Sequence, residues 1–254
     1  MNYLNLAFYK FTTLTEIPDL RERLKGLCVD LDLKGTILLS TEGINCCVAG
    51  TRDSVELLKA FFSQDSRFTA LPLKESWSDH QPFTRMLVKV KKEIIPLGMP
   101  EIEPAKFTAP FVGPKTLRDW FDQKKEMVLL DTRNSYEIRL GTFDGAIDLG
   151  LKHFRNFPDK VRSLPDDLKN KTVVTFCTGG IRCEKASPVL MGLGFKDVYQ
   201  LEGGILKYFE ECGDAHYQGD CFVFDYRVAI NSRLEETAAV HCCGCQTPVT
   251  AEEQ

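Results

Sequence analysis

Residues 171–195 read KTVVTFCTGGIRCEKASPVLMGLGF. The stretch from Thr172 to Phe176 is apolar and β-rich, and it stops at Cys177. Gly179 and Gly180 follow, and from about Cys183 the apolar residues recur at helical spacing. A short apolar run that gives way to a glycine turn and then to a helix predicts a strand covered on both faces, as in a parallel sheet. The pattern repeats outward. MVLLD, ending at Asp131, GAIDL and DVYQL read as further strands, and TLRDWFDQ and GGILKYFEECG as helices between and after them. This alternation predicts a parallel α/β domain over residues 115–215. In an open sheet of that kind ligands sit beyond the carboxyl ends of the strands, and Cys177 occupies such an end.

The loop after the strand sets the chemistry of that thiol. Gly179 and Gly180 let the backbone curl, so that the N–H groups of Thr178, Gly179, Gly180 and Ile181 form an anion nest. The N-terminus of the following helix adds partial positive charge, and Arg182 closes the loop with a fixed cation. All three favour a thiolate, which makes Cys177 a candidate nucleophile with a depressed pKa. A buried structural cysteine before a tight turn is the plain alternative. The convergence of strand end, glycine pair and arginine favours function. Cys183 has two readings, a resolving thiol for Cys177 or a small residue packed at a helix start. Pro188 removes one hydrogen bond from the early helix.

The ring C-T-G-G-I-R spans residues 177–182, one residue tighter than the Cys-x5-Arg loop a cysteine phosphatase needs. Such a ring suits a sulfur atom better than a phosphate. With LLDTRNSYE, GAIDL and LEGGILKY, it makes residues 115–215 resemble a rhodanese domain. The resemblance implies a persulfide on Cys177, with Arg182 as loop cation and Asp131 and Arg133 as a structural pair.

On the amino-terminal side, Pro96, Pro100, Pro104, Pro110 and Pro114 punctuate residues 96–114. Proline fixes φ and lacks a donor, so this segment is expected to be a linker that wraps a surface. Before it, residues 1–95 alternate strand, helix, two strands around Glu42-Gly43, helix, and a closing strand in RMLVKVKKEI. That order predicts a ferredoxin-like split βαβ with acylphosphatase-like topology. Residues 216–254 are expected to be an appendage whose regular feature is CFVFDYRVAI, a strand or hairpin arm.

Composition excludes several classes. The chain has 254 residues, 43% of them apolar, enough for packed cores. No apolar run reaches the length of a membrane helix, and the amino terminus lacks the pattern of a signal peptide. Ten cysteines at irregular spacing without an export signal fit a reducing cytoplasm better than a disulfide framework. The net charge is −4, so any RNA contact must use a local patch.

Two patches qualify. On a strand, Arg85, Leu87, Lys89 and Lys91 share one face, either a phosphate-binding stripe or the solvated side of an amphipathic strand. The segment KHFRNFPDKVR, with Lys152 and Arg155, mixes cations and aromatics near the presumed catalytic rim. It reads as a grip for single-stranded RNA or as a surface loop with two buried phenylalanines. In the tail, Cys242 and Cys245 form half of a zinc site with no second half in view, so zinc there stays open and no metal ligand is assigned. No organic-cofactor motif is seen.

Across the whole chain, LLSTEGIN, CTGGIRCEKAS and CFVFDYRVAI, in that order, are similar to the rhodanese-containing tRNA uridine hydroxylases. The implied architecture is α/β: an N-terminal ferredoxin-like α+β domain, a rhodanese-like parallel-sheet domain, and a short cysteine-containing tail. The implied function is oxygen-dependent hydroxylation of uridine 34 in the anticodon loop of tRNA to 5-hydroxyuridine, with molecular oxygen as co-substrate and Cys177 as persulfide carrier. The first domain is then left to position the substrate. Oxygen does not attack uracil directly for reasons of spin, so the loop chemistry by itself predicts a sulfur carrier. A sulfurtransferase serving a small acceptor is therefore the alternative, and a non-catalytic docking module the third reading. The sulfur donor is not identified by the sequence.

Overall fold

The structure, a computed structural model, describes residues 2–254. It divides into two compact units, the first ending at Pro96 and the second running from Leu97 to Gln254. Each is described by itself.

The first unit is built on β1 (Tyr3–Phe11), α1 (Ile17–Asp30), β2 (Lys34–Ser40), β3 (Gly43–Gly50), α2 (Arg52–Ser63), β4 (Lys74–Ser78) and β5 (Met86–Val90). In α1, Leu20, Leu24 and Cys28 recur every fourth residue and are buried. In α2, Thr51 caps the first turn by accepting the Ser54 N–H, and Val55, Leu58 and Phe62 face the sheet. Burial of each such Leu or Phe stabilises the fold by about 1.5–3 kcal/mol. Cys46 and Cys47 alternate as strand neighbours must, Cys46 sealed in the core and Cys47 half-buried.

The sheet order is β4-β1-β3-β2-β5, and this corrects the expected closing strand. The fourth strand of the split βαβ is Lys74–Ser78, antiparallel to β1. Met86–Val90 is instead a fifth strand, parallel to β2 on the opposite edge. KESWS escaped the sequence pattern because it is a polar edge strand with no buried apolar face of its own.

The second unit comprises β6 (Phe111–Val112), α3 (Pro114–Asp122), β7 (Val128–Asp131), α4 (Ser135–Ile138), β8 (Gly141–Phe143), β9 (Ile147–Asp148), α5 (Phe157–Arg162), β10 (Thr172–Phe176), α6 (Ile181–Gly192), β11 (Asp197–Leu201), α7 (Gly204–Cys212), β12 (Tyr217–Gly219), β13 (Cys221–Phe222), β14 (Ala229–Ile230), β15 (Val240–His241) and β16 (Pro248–Val249). Its main sheet runs β6-β11-β10-β7-β9 with every pairing parallel, and β10 lies at the centre. That is why TVVTF is apolar on both faces.

The proline-rich segment does more than wrap a surface. Phe111 and Val112, between Pro110 and Pro114, pair with Gln200 and Leu201 as an edge strand. Proline is tolerated there because one side of an edge strand needs no donors. Thr108 also repairs a defect in α6. Pro188 has no N–H for the carbonyl of Glu184, and the Thr108 hydroxyl donates to that carbonyl at 3.1 Å.

Residues 217–230 are likewise built into the second unit. Tyr217–Gly219 pairs antiparallel with β8, and Cys221–Phe222 with Ala229–Ile230. Tyr217, Cys221, Val223 and Ile230 belong to the core that holds Val174, Phe176 and Tyr208. Phe143 is its hub, edge-on to Phe176, Tyr208 and Tyr217 at 4.7–5.1 Å. The β15–β16 hairpin carries Cys242, Cys243 and Cys245, with Cys242 half-buried and the other two exposed. Among the described residues no helix is long and apolar enough to cross a membrane.

Candidate active site

β10 ends at Phe176 and places Cys177 at the carboxyl rim of the sheet. The chain turns through Gly180, whose φ of 100° is a conformation glycine adopts without strain, and enters α6 at Ile181, two residues earlier than expected. The turn is supported from below by α7. The N–H groups of Ile205 and Leu206 donate to the carbonyls of Cys177 and Thr178 at 3.0 and 3.1 Å. Gly204 makes this possible: a Cβ there would stand 2.4 Å from the Cys177 carbonyl oxygen and 2.7 Å from that of Thr178. Thr178 turns its hydroxyl toward the carbonyl of Phe222, at 3.4 Å, tying the loop to the β13–β14 hairpin.

The Cys177 sulfur is sealed, with 0% exposure, as is Cys183. The Gly180 N–H points at the sulfur from 3.1 Å, and the Arg182 N–H joins it. Burial by itself raises a thiol pKa and pushes Cys28, in the first unit, up to about 12. At Cys177 burial acts in the same direction, yet four favourable interactions outweigh it and lower the pKa to about 5: the Cys183 thiol, the Arg182 charge, and the Arg182 and Gly180 N–H groups. Cys183 bears the converse. Burial, and then the neighbouring Cys177 anion, hold its proton on, well above the usual thiol range. The structure therefore brings the two sulfurs together as donor and acceptor. The Thr132 hydroxyl lies 3.7 Å from the Cys183 sulfur.

Arg182 differs from expectation. Its guanidinium is committed to the Glu137 carboxylate in a bidentate pair of 2.6 and 2.7 Å, with both side chains buried. The cation reaches Cys177 as a field rather than as a free anion clamp. Glu137 is held in turn by the Asn134 N–H, which donates to the same carboxylate oxygen at 3.0 Å. Loss of either partner would leave an unpaired buried charge, at a cost of about 3–5 kcal/mol. Sequence reading missed Glu137. Its local trace is the Asn134-x-x-Glu137 spacing of a helix start, which says nothing of a partner 45 residues away. Asp131 and Arg133 form a second sealed pair, Arg133 Nη2 to Asp131 Oδ2 at 2.7 Å. The Thr142 hydroxyl donates to Asp131 Oδ2 at 2.9 Å and Arg133 Nη2 donates to the Gly141 carbonyl at 2.7 Å, while Arg133 Nη1 is buried without a hydrogen-bond partner among the described residues.

The two basic patches fall in different units. Lys152 and Arg155 are exposed on the segment after β9. β9 and β10 both run parallel to β7, so this segment lies on the same rim as Cys177. Phe154, between them, and Phe157, just beyond, are buried and pack on each other at 5.7 Å, so they are core residues and not base-stacking rings. Arg85, Lys89 and Lys91 are exposed on the β5 edge of the first unit, with Val88 in the core and Val90 half-exposed. In the tail, hydrogen bonds from Thr247 and then from Cys242 lower the Cys245 pKa to about 7. Among the described residues no three His, Cys, Asp or Glu side chains are grouped as a metal ion would need.

Two family models match the chain, a UPF0176 acylphosphatase like domain over residues 3–94 and a Rhodanese-like domain over residues 113–211. A relative from Cupriavidus pinatubonensis, named tRNA uridine(34) hydroxylase, is 50% identical over 259 residues, covering 100% of this chain and 92% of its own length. One of the same name from Ralstonia nicotianae is 49% identical over 259 residues with the same coverage. Among solved structures, the rhodanese-like domain from an Anabaena protein is 19% identical with a TM-score of 0.37, covering 43% of this chain and 79% of that one.

Proposed function

The chain belongs to the tRNA uridine(34) hydroxylase family, and on that premise we propose that it converts uridine 34 of tRNA to 5-hydroxyuridine in the cytoplasm, with molecular oxygen as co-substrate and Cys177 as the working sulfur. The observation that carries this reading is the Cys177 loop. A sealed thiol lowered to about 5 is ionised at neutral pH, and it lies in a chain 50% identical to such a hydroxylase over its whole length.

The thiolate accepts a sulfane sulfur from a donor R–S–SH. Cys177 Sγ bonds to the outer sulfur, the donor S–S bond breaks, and R–S⁻ leaves to take up a proton. The product, Cys177–S–S⁻, keeps the negative charge that the loop N–H groups and the Arg182 field stabilise. Cys183, with its proton held on, serves as hydrogen-bond donor to that charge, and attack by Cys183 on the inner sulfur is the slower path. Lys152 and Arg155 on the rim take phosphates of the anticodon loop. Arg85, Lys89 and Lys91 give the first unit a phosphate-binding edge, so that it positions the substrate.

The experiment is nucleoside mass spectrometry of tRNA from a strain that relies on this protein. Cys177→Ala is expected to abolish 5-hydroxyuridine while the protein remains folded, and undiminished 5-hydroxyuridine would remove Cys177 from the reaction. The second reading, a sulfurtransferase serving a small acceptor, is favoured by the six-residue ring itself. Robust thiosulfate–cyanide turnover, with no protein-dependent change in tRNA mass, would select it.

A further inference from the structure

The turn that joins β13 to β14 is stiff, strained and aromatic. Asp225 and Arg227 brace it from inside, with Nε–Oδ1 at 2.8 Å and Nη2–Oδ2 at 2.6 Å, and both side chains are buried. The Arg227 N–H also donates to Asp225, at 3.0 Å, and Val223 N–H donates to the Val228 carbonyl at 2.9 Å. Val228 sits at φ 61°, a conformation a β-branched residue adopts only when its surroundings impose it. Val223, Asp225 and Arg227 point in. Phe224 and Tyr226 therefore point out, 59% and 60% exposed.

Nothing in folding asks for two exposed rings on a braced turn, and their position is specific. The Phe224 ring centre lies 5.8 Å from the guanidinium carbon of Arg182, and the ring packs edge-on to buried Phe222 at 5.0 Å. Tyr226 borders a cleft of about 270 Å³ with Val228, Glu236, Thr237 and His241. Exposed Lys152 and Arg155 stand on the same rim of the sheet as the Cys177–Arg182 loop, so the surroundings suit a polyanion.

We propose that Phe224 and Tyr226 are the stacking platform for the nucleobases flanking the target uridine. The proposal rests on the tRNA reading above and adds what that reading lacks, a hold on the bases themselves. A base taken out of an anticodon loop loses its stacked neighbours, and the neighbours lose it. The Phe224 face beside the catalytic loop, with the Tyr226 face two residues along the same turn, restores that stacking without regard to sequence. The brace fixes the rings in advance, so little ordering remains to be done on binding. Phe224 and Tyr226 are positioning residues and touch no reacting atom.

The test uses the full chain and a short anticodon stem-loop RNA with uridine at position 34, followed by fluorescence anisotropy. Phe224→Ala and Tyr226→Ala are each expected to weaken binding about tenfold. Phe224→Trp is expected to restore it and Phe224→Leu, apolar but without a π face, to leave it weak. The salt slope of binding should match wild type, because no phosphate contact is lost. Circular dichroism should stay unchanged in both variants; Tyr226→Ala should keep the wild-type melting temperature, and Phe224→Ala, which gives up the edge-on contact with Phe222, should lower it by about a few degrees, so binding is compared well below either transition. Wild-type affinity in both alanine variants would overturn the platform, as would equal rescue by leucine and tryptophan. A wild-type protein that leaves tRNA without 5-hydroxyuridine would instead overturn the underlying reading, so the two failures are distinguishable.

Discussion

Cys28 and Cys177 are both sealed from water, yet one thiol is driven up to about 12 and the other lowered to about 5. Burial is common to both, so the difference lies in what points at the sulfur. First among the favourable partners is the Cys183 thiol. Cys183→Ala is therefore expected to raise the pH at which Cys177 ionises, and Cys183→Ser, which keeps a donor, to raise it less. Thiolate absorbance near 240 nm against pH measures this, and an unchanged midpoint in Cys183→Ala would assign the shift to the backbone and Arg182 alone. The sign of the stability effect follows. A depressed pKa means the anion favours the folded state fully above its ordinary value of 9.0, and the benefit is lost as pH falls through about 5. The stability gap between wild type and Cys177→Ala should move against wild type over that interval. At this scale the nucleophile was legible, because strand end, glycines and arginine are contiguous. Glu137 was not, since the pairing that neutralises Arg182 joins distant parts of the chain.

Among the elements, the start of α7 decides whether the loop keeps its shape. Gly204 has φ 66°, and its missing Cβ leaves room for backbone atoms of the loop at 2.4–2.8 Å. Gly204→Ala is expected to cost at least about 2 kcal/mol in chemical denaturation, through left-handed strain and displaced backbone, and to cut 5-hydroxyuridine sharply. Gly203, at φ 69°, is the control: its Cβ would stand 2.5 Å from the Lys207 Cβ, which the α7 backbone fixes, so Gly203→Ala is also expected to lose stability, but it meets no atom of the Cys177 loop. Gly203→Ala should therefore lower 5-hydroxyuridine less than Gly204→Ala does at a similar loss of stability. Equal loss of 5-hydroxyuridine in the two variants would mean that the loop is not seated on Gly204. Buried strands and amphipathic helices were readable because their periodicity reports burial. Lys74–Ser78 was not, because a polar edge strand has no apolar period, and Met86–Val90 took its place in the reading. Whether a strand joins one edge or the other is set by pairing partners, and no local pattern encodes that.

On the scale of the whole molecule, each unit has a core of its own, one drawn from residues between Leu4 and Val88 and one that includes residues from Val112 to Ile230. A chain ending at residue 215 lacks Tyr217, Cys221, Val223 and Ile230, which fill the second core. It is expected to lose the rhodanese fold while residues up to Pro96 stay folded. Limited proteolysis followed by mass spectrometry would then leave the first unit alone, and a protease-resistant second unit would contradict this. Composition and motif order gave the two-part plan, but the tail's role was hidden because its contribution is a scatter of single side chains and two-residue pairings. The closure around Cys177 has one more consequence. A wall that excludes water also excludes glutathione and other cellular reductants, which are far larger. The same wall stands in the way of a persulfide donor and of RNA, so the proposed sulfur transfer requires the loop to open. A sulfur carried on Cys177 would then be shielded between openings, and the frequency of opening would govern both its loading and its loss.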